Sequence, residues 1–369
     1  MFPITSNKLQ EFREWAMIRF MRVVVATFCV FSMGSAQATQ YEVTLLGLGT
    51  LEGASSNSDS SATGINESGQ VVGTATIAGT NVAILWSGAT VTNLGGLGGP
   101  SAFSVALGIN DFGQVVGFSR TIQNDPRYYA TLWSEGAITN LGFGYNSTAS
   151  AINNTGQIAV SSSFGSVVWA AGTVSYLSFP HVSDSASGIN DKGQVVGAIN
   201  TRDGLNHAAL WSAGITTDLG TLGATWSVAS AINDFSQIVG YSYNTVSLTY
   251  QAILWDVSDA PKVIGSFEPA AINNRGQVVG TSGSGAVLWN DNVTVNLNQF
   301  LDAVTVDAGW VLAGASGIND KGQITGTAFN NHTGLIEAFL LTPVPEPATI
   351  ALLTLGLASL AATRRSKHK

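Results

Sequence analysis

The chain has 369 residues, of which 10% are charged, 45% are hydrophobic and 42 are glycine. Low charge combined with this apolar content predicts a large buried core rather than a disordered chain. The net charge of −8 argues against nucleic-acid binding, which needs an excess of Lys and Arg. The single Cys excludes a disulfide framework and a Cys-based metal site.

Residues 1–38 have the layout of a secretory signal peptide. Two arginines precede an apolar run over residues 23–33, and Ala36 and Ala38 supply small residues at positions −3 and −1 of a cut after Ala38. A buried core helix is the alternative interpretation of the run. Without this segment and the basic cluster that begins at Arg364, the body has 7 basic and 21 acidic residues, a net charge of −14. The sequence therefore predicts an exported, acidic body that repels anionic surfaces.

The body, residues 39–342, is one unit repeated seven times. Each copy contains Gly/Ala-Ile-Asn, two variable residues, Gly (Ser in the fifth copy) and Gln, followed by a short β-prone run. A Leu-Trp type pair and a Thr-x-Leu-Gly type run recur at the same period of about 42 residues. The seven asparagines are Asn66, Asn110, Asn153, Asn190, Asn233, Asn273 and Asn319.

The repeated Asn motif predicts a tight turn between two strands. Asparagine favours turns, and glycine at the fourth position takes a positive φ without steric cost, which suits a type I turn with a bulge. Ser236 replaces that glycine in the fifth copy, where a left-handed backbone costs about 1 kcal/mol. The isoleucine before each Asn is expected to point into the core. Each repeat then supplies four short strands.

Four strands per repeat predict an all-β fold, a seven-bladed β-propeller closed into a ring. The last copy lacks its fourth strand, and residues 41–49 can supply it and thereby latch the ring. If the blades begin instead at the Leu-Gly run, no latch is needed. An open β-solenoid is the alternative architecture.

The repeats resemble the HAF family of extracellular repeats, named for a His-Ala-Phe stretch before Leu-Trp. The fourth copy keeps the histidine, as His207-Ala208-Ala209 before Leu210-Trp211, and the seventh keeps Glu337-Ala338-Phe339. The resemblance implies an exported protein of poorly defined activity.

The C-terminal segment, residues 343–369, resembles the PEP-CTERM sorting signal of Gram-negative bacteria. Its parts occur in order: Pro345-Glu346-Pro347, an uncharged apolar stretch over residues 348–363 that predicts a short transmembrane helix, and the basic pair Arg364 and Arg365. The resemblance implies recognition by an exosortase, transient anchoring in the inner membrane and release or transfer at the cell surface. Family members tend to accompany exopolysaccharide production. A plain membrane anchor is the alternative.

The motifs predict a non-enzymatic protein without a cofactor. The three body histidines lack metal-ligand spacing, and neither a nucleophile elbow nor a phosphate-binding loop occurs in the sequence. The recurring acidic residues predict turn chemistry, with repeated Ca²⁺ sites as an unsupported alternative. They are Asp111, Asp191, Asp234 and Asp320.

The best binding candidates are the loops before Leu-Trp in the second and fifth copies. They hold aromatic and basic residues at equivalent places, so they should share one face of the ring, where exposed tyrosines with polar neighbours suit stacking against sugars. Partly buried edge aromatics are the alternative. The candidates are Arg127, Tyr128, Tyr129, Tyr241, Tyr243 and Tyr250.

Together these features predict an exported propeller that interacts with exopolysaccharide or with other surface proteins. An extracellular polysaccharide hydrolase or lyase that uses the central pocket is the alternative function. A third hypothesis is that the body serves only as a spacer.

Overall fold

A computed structural model describes residues 40–344, except for residues 50, 123–124, 178–183, 203, 246–247 and 257–259. The predicted signal cleavage site, the Pro345-Glu346-Pro347 motif, the apolar stretch over residues 348–363 and the basic tail lie outside the described residues. Within the described ranges, no helix is long and apolar enough to cross a membrane.

The described residues form seven antiparallel four-stranded sheets, the blades of a propeller. After β1 (Tyr41–Leu46), six blades are runs of four consecutive strands. Blade 1 is β2 (Ser60–Ile65), β3 (Val71–Ile77), β4 (Thr80–Ser87) and β5 (Thr90–Asn93); blade 2 is β6 (Ser104–Ile109), β7 (Val115–Ser119), β8 (Tyr129–Ser134) and β9 (Ala137–Asn140); blade 3 is β10 (Thr148–Ile152), β11 (Gln157–Ser162), β12 (Gly165–Ala170) and β13 (Thr173–Tyr176). Blade 4 is β14 (Ser185–Ile189), β15 (Val195–Asn200), β16 (Asn206–Ser212) and β17 (Ile215–Gly220); blade 5 is β18 (Trp226–Ile232), β19 (Gln237–Asn244), β20 (Thr249–Asp256) and β21 (Lys262–Gly265); blade 6 is β22 (Glu268–Ile272), β23 (Val278–Ser282), β24 (Gly285–Asn290) and β25 (Val293–Asn296).

Blade 7 takes its strands from both ends of the body. It consists of β26 (Trp310–Ile318), β27 (Ile324–Asn330), β28 (Ile336–Pro343) and β1, which pairs antiparallel with β28 so that Tyr41 lies opposite Pro343. A 3₁₀ turn (Leu297–Phe300) and the short helix α1 (Ala303–Asp307) connect blade 6 to blade 7. The predicted latch is therefore confirmed, and the open solenoid is wrong.

The core lies between the blades rather than inside any one of them. The described residues form seven apolar clusters, and each joins neighbouring blades. One cluster packs Val116 of blade 2 against Ile158 of blade 3, and another packs Ile84 of blade 1 with Ala338 of blade 7. Because a single blade cannot cover both of its apolar faces, ring closure completes the burial.

The Asn motifs form the predicted turns. In blade 1 the carbonyl of Asn66 accepts a hydrogen bond from the Gly69 amide at 3.0 Å, and the Asn66 amide donates to the carbonyl of Gln70 at 3.1 Å. Gly69 has φ +76°, and Ser236, at the same position in blade 5, has φ +66°. The expected left-handed conformation at Ser236 is thus present without a glycine.

We predict that Ser236→Ala lowers the free energy of unfolding by about 1 kcal/mol, the usual net value of one hydrogen bond. The Ser236 hydroxyl donates to Gln194 Oε1 at 2.7 Å and accepts from Lys192 Nζ at 3.4 Å, and alanine removes both contacts while keeping the unfavourable φ. Ser236→Gly is the control, because it loses the same contacts but relieves about 1 kcal/mol of backbone strain. Urea denaturation measures both variants, and an alanine variant as stable as the glycine variant would contradict the prediction.

Candidate functional site

The ring has two faces that carry different chemistry. Because the strands of a blade alternate in direction, the Asn turns between first and second strands all open on one face, the turn face. The hairpins between second and third strands open on the opposite face, the hairpin face. The predicted binding tyrosines belong to hairpins of blades 2 and 5, so they lie on the hairpin face.

On the turn face, the seven motif asparagines form a closed circle of hydrogen bonds. Each Nδ2 donates to the backbone carbonyl of the motif asparagine in the next blade at 2.8–3.1 Å, and Asn319 closes the circle onto Asn66. The same nitrogen also donates to the side-chain oxygen of the glutamine four residues later, as from Asn190 to Gln194 at 2.8 Å. All seven side chains are 3–4% exposed. The motif asparagines therefore shape the turns and also join the blades.

A second circle runs through the residue that follows each asparagine. One side-chain oxygen accepts the backbone N–H of the same position in the preceding blade at 2.5–2.9 Å, all the way round the ring. Its members are Glu67, Asp111, Asn154, Asp191, Asp234, Asn274 and Asp320. The predicted turn carboxylates thus act between blades, a role that sequence reasoning missed.

The turn face opens at the ring axis into a cavity of about 250 Å³ lined by the seven Ile-Asn-x triplets. Five carboxylates meet at its mouth. Two amides interrupt them: Asn154 Nδ2 donates to Asp111 and Asp191 at 2.9 and 3.1 Å, and Asn274 Nδ2 donates to two further aspartates at 3.0 Å. These contacts offset repulsion between neighbouring carboxylates. Among the described residues, no group of three or more His, Cys, Asp or Glu side chains is placed to hold a metal ion.

On the hairpin face, blade 5 carries a cluster of four aromatic rings, the blade-5 cluster: Trp226, Tyr241, Tyr243 and Tyr250. The Trp226 ring lies 5.6–6.4 Å from each tyrosine ring, and Tyr243 and Tyr250 are 4.5 Å apart, centroid to centroid. Burial raises the pKa of Tyr241, and nearby Glu268 raises it further. Tyr250 is 40% exposed, so the cluster presents one ring to solvent on a packed aromatic base.

Blade 2 carries a related group, the blade-2 cluster: Phe103, Phe118, Arg120 and Tyr128. The Phe118 ring lies 6.1 Å from Phe103 and 4.8 Å from Tyr128, and the Arg120 guanidinium stands 4.2 Å from the Phe103 ring centre. Sequence reasoning missed Phe103 and Phe118, whereas Arg120 belongs to the variable loop of the second copy that it singled out. The strand pairings show which residues of the two blades are equivalent. Phe118 of blade 2 occupies the position of Tyr241 in blade 5, and Arg120 occupies the position of Tyr243.

The other two candidates of blade 2 lie apart from its cluster. Tyr129 pairs with Ser119 and, because side chains alternate along a strand, points away from Tyr128. The Arg127 guanidinium donates to both carboxylate oxygens of Asp125, with nitrogen–oxygen distances of 2.8–3.1 Å. Hydrogen bonding to Arg127 lowers the pKa of Asp125 to about 2. The sequence-predicted residues thus include three members of the blade-5 cluster and one of the blade-2 cluster.

The structure is a seven-bladed β-propeller. Its turn face carries two closed circles of hydrogen bonds around a polar axial cavity, and its hairpin face carries two aromatic clusters. The PEP-CTERM protein-sorting motif matches residues 343–366. The chain is therefore an exported protein with the recognition signal of an exosortase. No curated protein matches the chain. The motif match does not reach the repeats, so their resemblance to the HAF family stays a prediction.

Proposed function

We propose that this propeller is a non-enzymatic binding protein that an exosortase sorts to the cell surface, where it holds a neutral polysaccharide of the extracellular matrix. The paired aromatic clusters of the hairpin face carry the proposal. Sugar rings present apolar C–H faces, which pack on aromatic side chains, and their hydroxyls bond to neighbouring polar groups. Because the body carries a net charge of −14, a neutral polymer suits it better than an anionic one.

The position of the clusters favours a long ligand over a small one. Blades 2 and 5 lie three steps apart in one direction around the seven-bladed ring and four in the other, so the clusters stand on nearly opposite sides. A polymer that spans the face can engage both clusters, and two linked contacts bind more tightly than either alone. Other proteins of the cell surface are the alternative partners.

The binding role predicts that Tyr250→Ala weakens retention of a neutral polysaccharide. Truncating an aromatic anchor of an interface commonly costs more than about 1 kcal/mol, which corresponds to about fivefold to tenfold weaker binding. The measurement is affinity electrophoresis of the full chain, in mild detergent, through gels containing the producing cell's own exopolysaccharide. Tyr176→Ala is the matched control, because Tyr176 is 68% exposed on β13, outside both clusters. Equal retention of both variants and the native chain would count against the proposed ligand.

The sorting role predicts that a chain ending at Val344 no longer reaches the cell surface. The deletion removes nearly all of the matched motif and leaves the seven blades intact, so the protein should be exported and folded but not sorted. Surface immunolabelling measures the outcome, with protease resistance as the check on folding. Deleting only residues 367–369, which lie beyond the matched motif, is the control. Normal surface labelling of the long deletion would refute exosortase-dependent sorting.

An extracellular polysaccharide hydrolase or lyase is a second candidate, and one observation favours it: carboxylates from five blades gather at one axial cavity. Each of them also accepts a backbone N–H of a neighbouring blade, so one of its oxygens already serves ring closure. Asp234→Asn tests the candidate without opening the ring, because Asn154 and Asn274 already fill this position in two other blades. Release of reducing or unsaturated sugar ends by the native chain, and its loss in Asp234→Asn, would establish catalysis.

A further inference from the structure

A second cavity of about 250 Å³ lies at the hairpin face of blade 5, on the side of the sheet opposite to the aromatic cluster. Ser242 pairs with Gln251, and Asn244 pairs with Thr249, so these four side chains stand on one face of the β19–β20 hairpin. The loop over residues 222–224 forms the other wall. The lining carries no charge, and it is polar apart from one leucine, one glycine and one alanine.

The Ser242 hydroxyl is the unusual group in this cavity. Ser242 is 1% exposed, and its Oγ has no hydrogen-bond partner among the residues that the structure describes. Buried hydroxyls in folded proteins are nearly always bonded, because an unmade bond leaves the cost of removing the group from water uncompensated. An unpartnered hydroxyl that lines a cavity can form its missing hydrogen bond with a ligand.

Blade 2 shows one way in which a serine at the same position is satisfied. Its counterpart, Ser119, accepts the backbone N–H of Leu97 at 3.1 Å and lies 3.0 Å from the hydroxyl of Thr131. In blade 5, Ile253 stands in place of Thr131, so one partner is lost.

The second partner is lost because the preceding loop differs. The segment over residues 220–226 is two residues shorter than its counterpart over residues 95–103. At the position of Leu97 it places Leu222, which has φ +53°. The shorter loop does not bring an amide to Ser242, and the cavity is the space that remains.

We propose that this cavity is a subsite for one neutral sugar residue. Sugar hydroxyls both donate and accept hydrogen bonds, as do the side chains of Ser242, Asn244 and Gln251, and the lining offers no charge to attract an ion. The volume lies just below the usual range for small-molecule sites, about 300–1,000 Å³, so it admits a single ring rather than an oligomer. The choice of ligand class rests on the proposed function, whereas the site rests on the unpartnered hydroxyl.

Ligand-observed NMR on the full chain in mild detergent tests the subsite, with glucose, galactose, mannose and N-acetylglucosamine as neutral probes and glucuronate as the charged comparison. At least one neutral sugar should bind, and glucuronate should bind more weakly. Ser242→Ala should weaken binding about threefold to tenfold, the range for loss of one neutral hydrogen bond. Gln251→Ala, on the same cavity wall, should also weaken it.

The matched control is Ser119→Ala, which makes the same change where the hydroxyl is bonded. It should lower the melting temperature and leave sugar binding unchanged, whereas Ser242→Ala should not lower the melting temperature. Binding of none of the four neutral sugars, or equal binding by Ser242→Ala and the native chain, would overturn the subsite. Either of these two results overturns the subsite alone if Tyr250→Ala still loses polysaccharide retention, because the proposed function rests on the aromatic clusters. Failure of the subsite can therefore be told apart from failure of the proposed function.

Discussion

Replacing Asn190 by alanine is expected to lower the free energy of unfolding by about 3 kcal/mol, because several buried polar groups lose their partners at once. The Asn190 side chain donates to the carbonyl of Asn233 and to Gln194 Oε1, and it accepts the backbone N–H groups of Lys192 and Gln194. Alanine removes all four bonds and breaks the closed circle between blades 4 and 5. Chemical denaturation measures the loss.

The control for this prediction is Asn140→Ala. Asn140 is exposed and accepts one bond, from the Gly142 amide at 2.9 Å, so its replacement should cost less than about 1 kcal/mol. If the two variants unfold at the same denaturant concentration, the asparagine circle does not stabilise the ring as the geometry indicates.

Deleting residues 41–46 is expected to destroy the cooperative unfolding of the ring. The deletion takes the outermost strand from blade 7, removes the buried Tyr41 and Leu46, and uncovers the edge of β28. An uncovered edge with its apolar neighbours also promotes aggregation. Circular dichroism and limited proteolysis measure the effect, and a native-like melting curve would show that β1 is dispensable.

A disulfide between β1 and β28 should instead stabilise the ring. Glu42 lies opposite Thr342, and the body contains no cysteine of its own, so Glu42→Cys with Thr342→Cys makes a single defined cross-link. Closing a loop of about 300 residues should raise the free energy of unfolding by up to about 5 kcal/mol through the unfolded state. The reduced form of the same variant is the matched control, and equal stability of the oxidised and reduced forms would contradict the predicted role of the latch.

The repeats and the latch could be predicted because their signals are local and periodic. The Asn turns follow from Asn and Gly at fixed spacing, and the missing fourth strand of the last copy pointed to residues 41–49. The circle through Asp111 and its equivalents could not be predicted in this way, because its hydrogen bonds join residues about 40 positions apart. The recurrence of an acid or amide after each Asn was the available signal.

On the hairpin face, too, the sequence could predict some residues of the site but not others. Tyr241, Tyr243 and Tyr250 were found from their place in a loop that varies between repeats, whereas Trp226 is recognised as part of the cluster through its strand pairing with Tyr243. The unpartnered Ser242 depends on a loop two residues shorter than in blade 2 and on Ile253 in place of a threonine. Such differences between repeats acquire meaning only when the repeats are superimposed in space.

The pairing of Tyr41 with Pro343 has a consequence for biogenesis. Because β1 pairs with β28, the first strand of the propeller cannot find its partner until the last strand has been exported, so the ring closes only after the whole body is delivered. Pro343 is also the first residue of the matched sorting motif, and only Val344 separates it from Pro345-Glu346-Pro347. The sequence therefore places the sorting motif directly beside the strand pairing that closes the ring.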